Sequence, residues 1–459
     1  MTGRRAARGV AAAPAVVLLL LAGALVLQRR SLWYDELFTA QVGTAGPAAL
    51  ARAVRTGEGT ASYLLDVPPS YNAPYYVVVQ AWLAVTGLPA DEVGLRLLSL
   101  LAAVAGIAVL TVAVTRLAGR AAGLTAGLVT ATSPMVVEYA AEARGYGLAL
   151  LATATAVLGL SRWLDDGRLG LWAVGALAAG LAHWFALPVV AGLALAGLVL
   201  RRRAALGLLA VAALAALPTL GLVALVVLNG TGDSAVGWIR DTGGAVPVLA
   251  LQAWSGSSRL LLPAVLLAAA VGLVRGDRRT AVVAACWVVV PLAAVTAAEL
   301  LRPVFVPRYL LPALVGLAVL AGTGLSRLPR PAAVAATGTL VVLQLLAVAD
   351  VAGRGPREDA RGAVQALQQQ QRPGEPVVAV DRRAALALEQ YGGRLAPDVR
   401  VPPDDPPPAD VVWLLRQSVG ERVRPSDDDA LLAQEGLVLR GSRVFRGTSS
   451  DLVLQRWSR

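Results

Sequence analysis

The chain has no lysine, one cysteine and one histidine, and each scarcity excludes a class of site. Cys286 alone cannot form an internal disulfide, and with His183 as the only histidine there is no Cys/His metal cluster. Charged residues make up only 15% of the chain, whereas soluble globular proteins have about 25%. Together with a hydrophobic share of 56%, this predicts a polytopic membrane protein.

Arginine carries all the basic charge, and the formal net charge is +11. So basic a chain can indicate a nucleic-acid partner. Here the arginines are spread over short loops between apolar runs, as the positive-inside rule of membrane proteins expects. We therefore expect a lipid bilayer as the partner and no nucleic acid.

Apolar runs long enough to cross a bilayer recur along the first 349 residues, since a helix needs about 18 to 20 apolar residues to do so. The count is about eleven, with twelve if the brief apolar stretch Pro74–Gly87 is part of a span. The predicted spans are Val10–Leu27, Val93–Leu117, Ala121–Val137, Tyr146–Trp163, Leu169–Ala182, Phe185–Leu200, Ala204–Leu228, Leu260–Val274, Ala281–Ala297, Tyr309–Leu325 and Ala332–Ala349.

Arginines concentrate in alternate loops, which predicts the orientation in the plasma membrane. The opposite loops carry acidic residues, so the N-terminus is expected in the cytoplasm and the C-terminal part outside. The first run lacks a small-residue cleavage site and is expected to remain as an uncleaved span. The arginine-bearing loops contain Arg4, Arg5 and Arg8; Arg116 and Arg120; Arg162 and Arg168; Arg201, Arg202 and Arg203; Arg275, Arg278 and Arg279; and Arg327 and Arg330.

Residues 350–459 differ in composition and predict a small extracytoplasmic α/β domain after a transmembrane domain of residues 1–349. A proline-rich loop, Val401–Ala409, interrupts the domain. The expected elements are helices at Pro356–Gln371 and Arg382–Tyr391, buried strands at Pro376–Val380 and Ala409–Leu415, and hairpin strands at Leu437–Phe445 and Asp451–Trp457.

Two adjacent carboxylates, Asp35 and Glu36, follow the first span at the start of a long external loop of residues 28–92. Long loops in compact proteins are usually functional or disordered, and Trp33, Tyr34 and Phe38 argue for order. A carboxylate at the membrane surface can move protons on a substrate delivered by lipid. The alternative is that both acids cap a juxtamembrane helix, whose N-terminus favours negative charge.

Three further segments place candidate site residues at the same outer surface. If residues 138–142 are helical, Glu138 and Glu142 lie on one face, with Arg144 beside them. The structural alternative is a salt bridge from one of these acids to Arg144 that stabilises a short loop. Arg308 and Tyr309 follow Pro307. The alternative to a role in the site is that Arg308 extends its charged group to the membrane surface and Tyr309 belongs to the belt of interfacial aromatic residues. His183 lies at another outer turn, where a lone histidine more often packs than acts as a base.

Taken in order, these motifs resemble the GT-C class of membrane glycosyltransferases, especially the bacterial protein O-mannosyltransferase and aminoarabinose-transferase-like group. The resemblance covers roughly residues 10 to 350, and the order and sidedness of the motifs carry it. The motifs are Trp33-Tyr34-Asp35-Glu36, Pro68-Pro69-Ser70-Tyr71 with Tyr75-Tyr76, Arg96 to Ser99, Ser133-Pro134 with Glu142 to Tyr146, His183-Trp184-Phe185 and Pro307-Arg308-Tyr309.

The resemblance implies transfer of a sugar from a polyprenyl-phosphate donor to an acceptor on the outer face. By matching motifs, Asp35 is the expected base beside Glu36, and Arg144 and Arg308 are the expected donor-phosphate ligands. One departure is Pro68-Pro69-Ser70, where related sequences often have His-Pro-Pro-Leu. The candidate substrate contacts are Tyr75, Glu138, Glu142, Tyr146, His183 and Tyr309.

The chemistry of such a transfer fits these residues. A phosphate is already a good leaving group, so it needs cationic partners, whereas a glycosidase needs two carboxylates. One carboxylate then suffices to deprotonate the acceptor hydroxyl for an inverting displacement. We expect a hexose, mannose or another, to move to a protein, lipid or glycan. Adjacent carboxylates also suit a hard cation, so Mg²⁺ or Mn²⁺ stays an open candidate cofactor.

Two other functional classes are alternatives to a glycosyltransferase. A transporter or lipid-linked-sugar flippase would place ionisable residues near the bilayer midplane, whereas the acids here cluster near span ends. A receptor or assembly protein would use its outer domain to bind a partner and make the acidic pair incidental. The surface clustering of the acids favours the enzyme.

Overall fold

The computed structural model describes residues 2–231, 237–256, 258–402, 409–418 and 426–459, with side chains from residue 11 onward. The chain divides into two compact units. The first comprises Met1–Gln28, Ser70–Tyr75 and Arg96–Gly353. The second comprises Arg29–Pro69, Tyr76–Leu95 and Arg354–Arg459, so most of the long external loop clusters with the C-terminal part. The domains predicted at 1–349 and 350–459 remain a prediction.

Helices form nearly all of the first 353 residues. Short 3₁₀ helices join some of them at Ser62–Leu64, Pro69–Asn72, Trp184–Ala186, Arg202–Ala204 and Pro307–Leu310. The α-helices are α1 Thr2–Leu27, α2 Tyr34–Thr44, α3 Pro47–Thr56, α4 Ala73–Thr86, α5 Glu92–Ala118, α6 Arg120–Ala131, α7 Pro134–Ala140, α8 Tyr146–Asp166, α9 Gly170–Ala182, α10 Leu187–Leu200, α11 Ala205–Leu228, α12 Val246–Trp254, α13 Leu261–Arg275, α14 Arg278–Leu301, α15 Leu311–Ser326 and α16 Arg330–Gly353.

Among the described residues, six helical segments are long and apolar enough to cross a membrane. Shorter apolar helices lie at Ala11–Leu27, Gly170–Ala182, Trp184–Leu200 and Leu261–Arg275. The polytopic helical class is therefore confirmed, while the count of eleven spans stays a prediction. The six segments are Glu92–Ala118, Tyr146–Asp166, Arg202–Leu228, Arg278–Leu301, Pro307–Ser326 and Arg330–Gly353.

The predicted span Ala121–Val137 is wrong as one continuous helix. Helix α6 ends at Ala131, and α7 begins at Pro134 after Ser133, which is extended. The residue before a proline is disfavoured in the α conformation, and proline has no N–H to continue the hydrogen-bond ladder. With 12 residues, α6 covers about 18 Å at 1.5 Å per residue, which is short of a bilayer core.

Small residues let the helices of the first unit pack backbone to backbone. A Cβ added to Gly175 on α9 would lie 2.3 Å from the backbone nitrogen of Ala156 on α8. A Cβ added to Gly322 on α15 would lie 2.3 Å from that of Ala126 on α6. Close approach of this kind increases the van der Waals contact between the helices. In lipid this contact matters because the hydrophobic effect does not drive helices together there. The alanine- and glycine-rich composition therefore serves the packing.

Three loops predicted to be cytoplasmic meet at Asp165. Its Oδ2 lies 2.7 Å from Arg116 Nη2, and its Oδ1 lies 3.1 Å from Arg279 Nη2. These side chains come from the ends of α5, α8 and α14. The alternation that the arginines predicted therefore holds for these three loops. The membrane side of each terminus stays a prediction.

The second unit contains a five-stranded sheet with the order β2-β1-β3-β5-β4. Strand β1 is parallel to β2 and β3, and β5 is antiparallel to β3 and β4. The strands are β1 Val377–Ala379, β2 Val399–Arg400, β3 Val411–Ser418, β4 Val438–Phe445 and β5 Asp451–Ser458, with helices α17 Ala360–Gln370, α18 Arg382–Tyr391 and α19 Asp427–Gln434.

The predicted α/β elements are present in this unit. Helix α18 has the predicted bounds because Asp381 caps it, accepting the N–H groups of Arg383 and Ala384 at 2.9 and 3.0 Å. The hairpin and both buried strands are confirmed with shifts of a few residues at their ends, and α17 begins at Ala360 instead of Pro356. Most of the predicted loop Val401–Ala409 lies outside the described residues.

A hydrophobic core lies between the sheet and α19, formed by Val378, Val412, Leu414, Leu432, Leu437 and Trp457. Arg416, only 2% exposed, reaches from β3 to this helix. Its Nη1 donates to Asp429 Oδ2 at 2.8 Å, and its Nη2 pairs with the other oxygen. The Ser426 N–H also donates to Asp429, at 2.8 Å, which completes a capping box.

We predict that Asp429→Ala destabilises the second unit by about 3–5 kcal/mol, because it removes the two charge-assisted hydrogen bonds that Asp429 accepts from the buried guanidinium of Arg416. The matched control is Asp410→Ala, which removes the exposed pair with Arg459 and should cost at most about 1 kcal/mol. Pulse proteolysis of the detergent-purified protein across a denaturant series measures both. Equal effects of the two substitutions would contradict the assigned burial.

Candidate functional site

Asp35 and Glu36 lie in the first turn of α2, within the second unit. Trp33 precedes the helix in an extended conformation and gives no side-chain cap. The Asp35 side chain is half-buried, whereas Glu36 is 1% exposed. The helix start proposed as the alternative interpretation is therefore real, and negative charge is favourable there. Of the two carboxylates, Asp35 is therefore the more exposed, and its role as the base stays a prediction.

The N-terminus of α2 is bound by a carboxylate from far along the chain. Glu358 Oε2 accepts the Tyr34 N–H at 2.9 Å. The same carboxylate pairs with Arg383 and accepts the Ser450 hydroxyl at 2.8 Å. Arg383 also stacks over the ring of Tyr34, 4.3 Å from its centroid. Sequence reasoning missed Glu358 and Arg383 because their partner lies more than 300 positions away, without a local motif.

In the first unit, the segment carrying Glu138 and Glu142 is not one helix. Helix α7 ends at Ala140, and Glu142 lies in the turn that follows, so the predicted spacing of both acids on one helical face is wrong. The N–H of Arg144 donates to the Glu142 carbonyl at 2.7 Å. The residues reach α8 through this tight turn, which Gly145 completes. Glu142 is buried and Glu138 is half-buried.

Arg144 is held on both its backbone and its side chain. Its carbonyl accepts the Ser99 hydroxyl at 2.5 Å, and its Nη2 donates to Tyr71 Oη at 3.2 Å. The guanidinium carbon lies 5.8 Å from the Tyr71 ring centroid. Tyr75, 1% exposed, packs beside Gly145. The Pro-Pro-Ser-Tyr motif therefore supplies a direct partner of Arg144, although Tyr71 itself was not among the predicted site residues.

Aromatic rings connect three loop segments that were predicted to share one side. Tyr146 lies 5.1 Å from Tyr139 and 5.4 Å from His183, measured between ring centroids. His183 lies 5.2 Å from Tyr309, and Phe185 lies 4.8 Å from Tyr309. The structure thus brings together Tyr146, His183 and Tyr309, as the sequence predicted.

Arg308 borders this aromatic cluster. Its guanidinium carbon lies 5.6 Å from the Tyr309 ring centroid and 5.9 Å from that of Trp238. A cation over aromatic faces is stabilised by the negative potential of the rings. Trp238 is an exposed residue that the sequence analysis did not single out.

His183 is held as a neutral ring. Its Nδ1 accepts the Phe185 N–H at 3.3 Å, which requires an unprotonated nitrogen. Loss of hydration and the positive charges of Arg144 and Arg308 lower the pKa of His183. Both arginines therefore act on the same imidazole.

Glu299 fixes the segment that leads to Arg308. Its Oε2 accepts the N–H groups of Val304 and Phe305 at 2.7 and 2.8 Å. Its Oε1 accepts the N–H and the hydroxyl of Thr242 at 3.1 and 2.9 Å. One buried carboxylate thus connects the segments that carry Arg308 and Trp238. Its position near a span end was the only sequence signal for this role.

The structure places Arg144, Arg308, Tyr146, His183 and Tyr309 in the first unit, and Asp35 and Glu36 in the second. Within the described ranges, no group of three or more His, Cys, Asp or Glu side chains could hold a metal ion. Whether the adjacent carboxylates bind Mg²⁺ or Mn²⁺ stays an open prediction.

We predict that Glu299→Gln lowers the free energy of unfolding by about 2–3 kcal/mol. The amide NH₂ must face backbone N–H donors that the carboxylate now satisfies, which leaves buried donors unpaired. Asp241→Asn, an exposed change in the same segment, is the matched control and should stay within about 0.5 kcal/mol. Thermal unfolding in detergent compares the two, and equal midpoints would contradict the role of Glu299.

Comparison with known proteins agrees with the fold. No protein-family model matches the chain, and no curated protein sequence matches it. Among solved structures, ArnT from Cupriavidus metallidurans in the apo state is similar with a TM-score of 0.57 and 15% identity, over 96% of this chain and 97% of that one. The same protein bound to undecaprenyl phosphate gives 0.58 and 16%, over 96% of each chain. The chain thus shares an ArnT-like fold and is a multi-pass membrane protein.

Proposed function

We propose that this protein is a membrane glycosyltransferase that moves a sugar, a hexose such as mannose, from a polyprenyl-phosphate donor to an acceptor hydroxyl at the outer face of the plasma membrane. Asp35 acts as the general base, and the reaction inverts the anomeric centre. Arg144 and Arg308 bind the donor phosphate. The acceptor class is a protein, a lipid or a glycan.

The observation that carries this proposal is the pair of guanidinium groups at one cluster of helix ends. Arg144 and Arg308 act on the same neutral His183, and aromatic rings flank each of them. Guanidinium groups offer paired, charge-assisted hydrogen bonds that suit a phosphate. The ArnT-like fold supports this assignment, since that protein has been solved with undecaprenyl phosphate bound.

Each bond change in the transfer has a residue to support it. The acceptor oxygen attacks the anomeric carbon, and its proton passes to the Asp35 carboxylate. The bond between that carbon and the phosphate oxygen breaks, and its electron pair leaves with the polyprenyl phosphate. Arg144 and Arg308 stabilise the charge that grows on this leaving group, so no acid catalyst is needed. Glu36, buried in the same helical turn, positions Asp35.

The distribution of buried charge argues against the transporter or flippase alternative. Transporters place ionisable groups near the bilayer midplane. In the described spans, the buried charged side chains Glu92, Arg96 and Glu299 lie within five residues of a helix end. Charge therefore concentrates at helix ends, where a surface reaction takes place.

We predict that Asp35→Asn reduces sugar transfer by about 10²–10⁴-fold, because it removes the base and keeps the side-chain size. The measurement is transfer from a panel of polyprenyl-phosphate sugars in membranes or detergent, which also identifies the sugar. Asp66→Asn, an exposed acid of the same external loop, is the control and should retain activity.

Full activity of a folded Asp35→Asn would assign the base elsewhere, with Glu36, Glu138 and Glu142 to be tested next. No transfer from any donor by the wild type would favour the transporter alternative. Adding a chelator to the same assay decides whether Mg²⁺ or Mn²⁺ takes part.

We predict that Arg308→Gln raises the KM for the donor by about 10- to 100-fold, because a charge-assisted hydrogen bond is worth about 1.5–3 kcal/mol. The KM for the acceptor should not change. Arg302→Gln, at an exposed arginine a few residues earlier, is the matched control. An equal rise for both variants would indicate a general electrostatic effect in place of a phosphate site.

A further inference from the structure

The segment that precedes the acidic pair is held by the C-terminal part of the chain. The Ser31 hydroxyl accepts the N–H of Arg361 at 3.1 Å. The N–H of Leu32 donates to Tyr391 Oη at 2.9 Å, and Tyr391 in turn donates to Glu92 at 2.6 Å. All of these residues belong to the second unit. The path of the chain into α2 is therefore set by residues beyond position 353.

The next two residues are held in the same way. The Arg357 guanidinium lies 4.6 Å from the ring centroid of Trp33. Glu358 accepts the Tyr34 N–H, and Arg383 covers the Tyr34 ring. Four consecutive residues before Asp35 thus each have a partner from the C-terminal part.

Glu358 occupies the place of an N-terminal cap that the local sequence does not provide. The Trp33 side chain cannot accept a hydrogen bond from the first turn, and the N–H of the first helical residue, Tyr34, has no acceptor within the helix itself. The carboxylate of Glu358 accepts this N–H. It is 1% exposed, and Arg383 and the Ser450 hydroxyl fix its orientation. A side chain so constrained transmits its position to the helix.

We propose that Glu358 is a positioning residue for Asp35, because its carboxylate holds the N-terminus of α2, the helical turn that carries Asp35. The inference rests on the proposed role of Asp35 as the base. It gives the C-terminal domain a part in the reaction, since the domain completes the local structure of the base.

Charged and polar groups surround the Glu358 carboxyl and fix it in place. Burial raises the pKa of Glu358, the negative charge of Asp35 adds to the rise, and Arg383, Ser450 and the Tyr34 N–H oppose it. Arg357, Arg383 and Glu36 also lie at this helix start. Replacing Glu358 therefore removes both the acceptor of the Tyr34 N–H and the ion pair with Arg383.

The test uses the full-length protein and two readouts. In Glu358→Gln, we expect kcat to fall about tenfold, with the donor KM within about twofold of wild type. In Glu358→Ala, amide hydrogen exchange across residues 33–38 should speed up about tenfold or more. Glu375→Gln is the control, because its hydrogen bonds to Arg372 and Trp413 stay within the C-terminal domain.

The outcomes separate this inference from the proposed function. Unchanged exchange at residues 33–38, or a kcat that stays at the wild-type value while the wild type is active, overturns the role of Glu358 alone. Full activity of Asp35→Asn, or no transfer by the wild type, overturns the proposed base or the proposed reaction, and the inference then falls with it. A loss of activity in Glu358→Gln that comes with an equal rise in the donor KM indicates a merely structural residue and also contradicts the proposal.

Discussion

Hydrocarbon offers no hydrogen-bond partner to a peptide group, and this constraint shapes the rest of the molecule. The apolar segments must be helical, and the helices satisfy their own backbone everywhere except at their ends. Polar chemistry is therefore possible chiefly where helices start and stop. Arg144, His183 and Arg308 all lie at such ends, in turns that follow or precede an apolar helix. The location of the candidate site follows from the solvent in which the protein folds.

Buried carboxylates organise these helix ends. Glu299 accepts four hydrogen bonds and connects the segments that carry Arg308 and Trp238. Glu358 likewise connects the start of α2 to the C-terminal part, since it accepts the Tyr34 N–H and the Ser450 hydroxyl. Each acceptor replaces the water that would otherwise satisfy backbone N–H groups, which is why the turns hold one conformation. Rigid turns allow an arginine or a carboxylate to be positioned for catalysis.

Aromatic side chains contact the two arginines. A ring face attracts a guanidinium, but it does not compete with a phosphate for hydrogen bonds. The cluster of Tyr146, His183 and Tyr309 with Arg308 thus combines a cationic side chain with a packed, largely aromatic wall.

The sequence by itself determined the membrane class, the grouping of three arginine-bearing loops at Asp165, and the main elements of the C-terminal sheet domain, because hydropathy, charge placement and capping residues are local properties. It also identified Tyr146, His183, Tyr309, Arg144 and Arg308 as one group of candidates. The sequence analysis did not predict the helix break at Ser133 or the end of α7 before Glu142, since both depend on backbone geometry at a few residues. Only the tertiary structure could decide that Glu358 caps α2 and that Glu299 holds the Arg308 segment. Those partners are close in space, but in the sequence they are far apart or belong to no recognisable motif. Local sequence patterns therefore cannot predict a hydrogen bond between residues 324 positions apart.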